Sequence, residues 1–248
     1  MYDGADVRAM LEAKRVNVFI GHYGSGKTET ALNCAALLKA GGRRVALIDL
    51  DVINPFYRSS DAAEGLAALG IAVVEPASAH TVADMPALGR NVGAALGNGS
   101  VYAVVDVGGE DLGATVLSRY RADIPADDSA VYLVINAHRP FTCTAEGIRE
   151  AAERIGEAGR VKVTHVVNNT NMMGETDAQT VIRGYGLISG ALEGTGIEVA
   201  FSTWMAPGGG IGSQGRPGSP ADGEAASIAQ ATGRPTLIMR RFLRNPWD

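Results

Sequence analysis

Residues 21–28 read Gly21-His22-Tyr23-Gly24-Ser25-Gly26-Lys27-Thr28, a complete G-x-x-x-x-G-K-[ST] phosphate-binding loop. Glycines at the turning positions let backbone N–H groups point inward around a polyphosphate. Lys27 can then reach the β and γ oxygens, and the Thr28 hydroxyl is placed to ligate Mg²⁺. The flanks agree. Val16-Asn17-Val18-Phe19-Ile20 is a β-branched and aromatic run that predicts a buried strand, and from Thr28 to Ala40 apolar residues recur at helical spacing, at Ala31, Ala35 and Leu38. Strand, loop and helix follow in the order a phosphate site requires. Glu29, the first residue past the motif, would offer a phosphate only its backbone N–H at the helix N-terminus. The expected ligand of Gly21 through Glu29 is a nucleoside triphosphate.

Outward from the loop, apolar runs alternate with helix-like stretches, at 16–20, 44–50, 71–74, 101–107, 130–135, 161–167, 197–201 and 236–239. The alternation predicts an α/β fold with a mostly parallel central sheet covered by helices on both faces, and the phosphate loop at 21–28 makes the expected fold a three-layer P-loop NTPase fold. Ligands of such sheets sit at the carboxyl ends of the strands, so chemistry is to be sought just after each run. A chain of 248 residues suits one nucleotide-binding domain over 1–248 rather than two. The segment 205–223, rich in Gly, Pro and Ser, predicts a mobile surface loop. Trp204, just before it, is expected in the core, with stacking on a base as the alternative.

Charge and composition narrow the partners. A formal net charge of −5 argues against general affinity for nucleic acid. Cys34 and Cys143 are too few for a disulfide framework and fit a reducing compartment. No stretch approaches the roughly 18 to 20 apolar residues that span a bilayer, and the first residues lack a signal peptide's basic-then-apolar order, so a cytoplasmic location is expected. The tail from Met239 to Trp247 mixes basic and bulky residues around Pro246 and reads as a docking strand rather than a membrane anchor.

Acidic residues close two of the runs. Asp49 and Asp51 stand on alternate positions, which puts both on one side of an extended chain. Beside a phosphate loop such a pair can hold Mg²⁺-bound water and orient an attacking water; capping the next turn is the plainer alternative. Asp106 closes Val104-Val105-Asp106-Val107 ahead of Gly108-Gly109, which resembles a Walker B carboxylate followed by a switch. Glu110 and Asp111 read as solvated loop charges. After the run ending at Val167 come Asn168-Asn169-Thr170-Asn171, whose carboxamides can pair with adenine or simply form a turn. An Asn-Lys-x-Asp guanine motif is absent there, which favours ATP over GTP. Arg139, after the fifth run, can read a phosphate or an acidic partner, or be ordinary surface.

Together, the phosphate loop, Ile48-Asp49-Leu50-Asp51 with Asn54-Pro55, Asp106-Val107-Gly108-Gly109 and the asparagines near Asn169 resemble the MinD/ParA/nitrogenase iron-protein class of P-loop ATPases, over most of the chain. The resemblance implies that Lys27 and Asp51 are catalytic, with Asp51 polarising the attacking water. It implies that Thr28, Asp49 and Asp106 serve Mg²⁺ and that Asn169 touches the base. Many members carry a signature lysine at the second loop position, reaching across a nucleotide-sandwich dimer; this chain has His22. An imidazole titrates at about 6.5 in model peptides, so a histidine there supplies little positive charge at neutral pH. The function expected is a Mg²⁺-dependent ATPase that switches a protein partner, with an ATP-dependent homodimer as one form. The alternatives are an ATP-dependent small-molecule kinase or synthetase resembling dethiobiotin synthetase, and a nucleotide-gated binding module with negligible turnover.

Overall fold

The computed structural model describes residues 4–51, 65–75, 92–205 and 220–243. Its frame is one eight-stranded sheet: β1 (Val16–Ile20), β2 (Val45–Asp49), β3 (Ala72–Val74), β4 (Tyr102–Asp106), β5 (Ser129–Ile135), β6 (His165–Asn168), β7 (Glu198–Met205) and β8 (Thr236–Met239). The order is β3-β2-β4-β1-β5-β6-β7-β8, and every neighbouring pair is parallel. Each of the eight apolar runs became a strand, and the sheet is wholly parallel where the sequence predicted mostly so.

Helices cover both faces, and alternation along the strands shows it. Val16, Val18 and Ile20 of β1 join Val131, Leu133 and Ile135 of β5 in one cluster with Ala114, Leu117, Ile148, Ile155 and Ile188. Those last five lie on α3 (Glu110–Ser118), α4 (Ala145–Gly159) and α5 (Ala178–Leu192). Phe19, Tyr132 and Val134 face the other way, onto Val7 and Leu11 of α1 (Ala5–Glu12) and Leu32, Ala35 and Leu38 of α2 (Lys27–Ala40). With both faces covered, all of β1 is buried, which is why it reads as a continuous apolar run. Each such buried aliphatic contributes about 1.5–3 kcal/mol. The polar exception, Asn17, is tied down: its Nδ2 donates to Leu11 O and Lys14 O at 3.1 and 2.9 Å, fastening the end of α1 to the central strand.

Two expectations shift at their edges. Glu110 and Asp111 open α3 rather than lying in a loop. The segment 205–223 is trimmed at both ends: Met205 closes β7, and Pro220 begins α6 (Pro220–Thr232), a position where its fixed φ suits a helix and its missing N–H costs nothing. Residues 206–219, and residues 52–64 with Asn54 and Pro55, lie outside the described residues. Trp204 is buried with Ala178, Val181, Ala225 and Ile228, so it packs in the core.

Candidate nucleotide site

The phosphate loop leaves the carboxyl end of β1 and turns directly into α2. Gly26 makes the turn with φ +82°, and a Cβ there would stand 2.1 Å from Asn169 Nδ2, so only glycine fits. Ser25 N donates to His22 O at 3.1 Å, closing the loop on itself, and Thr30 N donates to Gly26 O at 3.0 Å, starting the helix. The first N–H groups of α2 have no carbonyl one turn earlier, which makes this helix N-terminus an anion cradle.

On one flank stand the acids. Asp49 and Asp106 are register partners on β2 and β4, so both reach the loop's side of the sheet edge. The Thr28 hydroxyl donates to Asp106 Oδ2 at 2.7 Å, and Lys27 Nζ lies 3.6 Å from Asp51 Oδ2 in a buried ion pair. Asp49 Oδ1 accepts from Asp51 N at 2.8 Å. Burial first, and then the Asp106 carboxylate, push Asp49 up to about 8. Just past β4, a Cβ on Gly109 would come within 2.9 Å of Tyr23 N, so the Gly108-Gly109 backbone leans on the phosphate loop. The structure thus brings Lys27, Thr28, Asp49, Asp51 and Asp106 together.

On the other flank the groups are carboxamides, hydroxyls and an arginine. Asn169 Nδ2 donates to Ser25 O at 2.6 Å, and its Oδ1 accepts from the Thr203 hydroxyl. Both ends of the carboxamide are therefore engaged by protein, each keeping one further hydrogen-bonding position. Arg139 Nε donates to Gly24 O at 2.8 Å. The Phe141 ring stacks on His22 with centroids 5.3 Å apart. Asn136 closes this side: its Oδ1 accepts from His138 N and its Nδ2 donates to Asn171 O, both at 3.0 Å. Phe141, Asn136 and Thr203 were not singled out in the sequence. Asn136 directly follows β5 and so carried the strand-end signal; Thr203, inside β7, carried none.

Glu29 has a task beyond its backbone. Its carboxylate accepts from Phe242 N and, at 3.3 Å, from Leu243 N. Asn33, one turn on, accepts from Arg240 N at 2.7 Å and donates to Arg240 O at 2.9 Å. Residues 240–243 are thereby pinned along α2, while 244–248 lie outside the described residues. Burial pushes Glu29 up to about 7 against those hydrogen bonds. Cys34 is buried, its thiol pushed up by burial, and Cys143 is exposed.

The residues present suit Mg²⁺ of the kind that accompanies a phosphate ligand. Among the described residues no group of three or more His, Cys, Asp and Glu can hold a metal by itself. A hydroxyl–carboxylate pair at the mouth of an anion cradle is the donor set expected where phosphate oxygens and water complete the shell.

Cradle, flanking carboxylates and parallel sheet define a P-loop nucleotide-binding protein. Residues 19–175, more than half of the chain, match the CobQ/CobB/MinD/ParA nucleotide binding domain (CbiA), and the chain belongs to that family. No curated protein matches it. Among solved structures it is similar to the cell division protein FtsY of Thermotoga maritima, with a TM-score of 0.51 and 21% identity over 88% of this chain and 68% of that one. It is also similar to the signal recognition particle receptor FtsY of Elizabethkingia anophelis in complex with GDP, with a TM-score of 0.51 and 18% identity over 76% of this chain and 56% of that one. A third is the signal recognition particle 54 kDa protein of Aeropyrum pernix K1 in complex with GDP, with a TM-score of 0.50 and 22% identity over 77% of this chain and 41% of that one. At these identities the likeness is one of fold. The chain spans little more than half of the Elizabethkingia receptor. Among the described residues no helix is long and apolar enough to cross a membrane.

Proposed function

We propose that this chain binds ATP with Mg²⁺, hydrolyses it, and uses the difference between its ATP and ADP forms to control a protein partner in the cytoplasm. One observation carries the reading: Lys27 and Thr28 of the phosphate loop already touch Asp51 and Asp106, so the groups that hold phosphate and metal are wired to the acids that would serve hydrolysis. When a γ-phosphate takes the Lys27 ammonium, Asp51 is left to accept a hydrogen bond from the attacking water and aim its lone pair. Thr28 and Asp106 would hold Mg²⁺, with Asp49 on its water ligands; the ion, when bound, offsets charge growing on the phosphoryl oxygens. A Cβ on Gly108 would crowd Asp51 and one on Gly109 would crowd Tyr23, so the segment after β4 runs close to both and is placed to respond to what occupies the loop.

For the base, Asn169 retains one donor and one acceptor position, which match an adenine edge. Two of the similar structures hold GDP, so competition between ATP and GTP is part of the test. The decisive measurement is Mg²⁺-dependent ATP turnover with light scattering, for the parent and Asp51→Ala, in ADP and in ATP. ATP turnover lost in Asp51→Ala with ATP binding retained supports the reading, and dimerisation trapped in ATP would assign the switch to a homodimer. Unchanged turnover in Asp51→Ala would remove the assigned role.

A further inference from the structure

Arg139 lies in the segment between β5 and α4, held by its own turn: Arg139 N donates to Asn136 O at 3.0 Å, and Thr142 N donates to Arg139 O at 2.9 Å. From there the side chain crosses to the phosphate loop. Its Nε donates to Gly24 O, and its Cζ would stand 3.1 Å from a Cβ on Gly24, so the guanidinium lies against the middle of the loop and needs glycine beneath it. A guanidinium has five N–H donors, of which this contact uses one. Among the described residues Arg139 is in none of the ion pairs, whereas Lys27 is opposed by Asp51.

The charge balance gives that arrangement a purpose. Asp49, Asp51 and Asp106 converge on one flank of a loop whose own cation, Lys27, is already opposed, and a triphosphate adds several negative charges. The second loop position holds His22, stacked on Phe141, rather than a fixed cation. We propose that Arg139 is a positioning residue for the polyphosphate: it fixes the loop through Gly24 O and supplies, within the same chain, the permanent positive charge that the second loop position lacks. The proposal rests on the ATP-binding reading of the site.

The test compares equilibrium binding of ATP and ADP to the parent, Arg139→Gln and Arg139→Lys, at low and high salt, with thermal melting to show that each variant is folded. Glutamine keeps an N–H donor for the Gly24 carbonyl but no charge. Arg139→Gln is expected to weaken ATP by roughly 30-fold and ADP by less, and to flatten the salt dependence of ATP affinity; Arg139→Lys is expected to recover most of the loss. Equal losses for ATP and ADP, with no change in salt dependence, would make Arg139 a latch only and overturn the proposal. So would ATP affinity unchanged in Arg139→Gln. Lys27→Ala separates the two levels: a parent that binds ATP no better than Lys27→Ala refutes the site reading itself, whereas ATP binding that needs Lys27 but not Arg139 refutes only the role given to Arg139.

Discussion

The two flanks of the phosphate loop differ in kind. Toward β2 and β4 the loop meets carboxylates, with Lys27 on Asp51 and Thr28 on Asp106. Toward β5 and β6 it meets Asn169 on Ser25 O, Arg139 on Gly24 O and Phe141 on His22. The acidic flank touches the loop's lysine and threonine side chains, and the other flank touches the loop's backbone carbonyls and its histidine ring. Because β1 lies between β4 and β5, the topology delivers one set to each side of the same loop. The division suggests that charge chemistry and loop geometry can be perturbed separately.

The sharpest separation is expected from Asp51→Ala. Loss of a group that orients the attacking water should lower turnover by about 10²–10⁴-fold. ATP affinity should hold or rise, because Lys27 no longer leaves a carboxylate partner to take the phosphate. Joint loss of ATP binding and turnover would place Asp51 among the loop's supports and erase the contrast between flanks.

Gly26→Ala attacks from the other side. A Cβ 2.1 Å from Asn169 Nδ2, at φ +82°, forces the Asn169 brace away and strains the loop, at about 1–3 kcal/mol for the backbone alone. Urea unfolding should show that loss together with weakened ATP binding. A variant as stable as the parent would mean that the amide flank yields easily.

Asn169→Ala is milder, removing the brace without strain. In a buried setting Ser25 O loses its side-chain donor and the Thr203 hydroxyl loses its shorter acceptor, keeping only Asn168 O, at about 1–3 kcal/mol. Bound ATP should be weakened more than its turnover at saturation, since the acids are untouched; an equal fall in both would join the flanks into one unit.

Much of the frame was readable because its signals are local. A parallel strand buried on both faces leaves a continuous apolar run, and all eight runs appear in the sheet. The loop and the acids at 49, 51 and 106 were readable for the same reason, each marked by its place at a strand end. What joins them was not. Asn169 reaches Ser25 across 144 residues, Arg139 reaches Gly24 across 115, and Glu29 reaches Phe242 across 213. Nothing at either end of such a contact announces the other: Glu29 reads as one more acid in a helix's first turn until the tail lies beside it.

The smallest expected effect tests whether bracing extends past direct contact with the loop. Thr203 reaches the brace by donating to Asn169 Oδ1, with a longer contact to Asn168 O at 3.5 Å, so Thr203→Val keeps the buried shape and removes the hydroxyl from both. The expected cost is about 1 kcal/mol in urea unfolding, with Asn169 still held by its donation to Ser25 O. ATP affinity should fall less than in Asn169→Ala. In the double variant the two losses should not add, because without Asn169 the Thr203 hydroxyl keeps only its longer contact to Asn168 O; the expected coupling is about 0.5 kcal/mol or more. Strict additivity would show that Asn169 holds the loop without help from β7, and would confine the amide flank to the loops after β5 and β6.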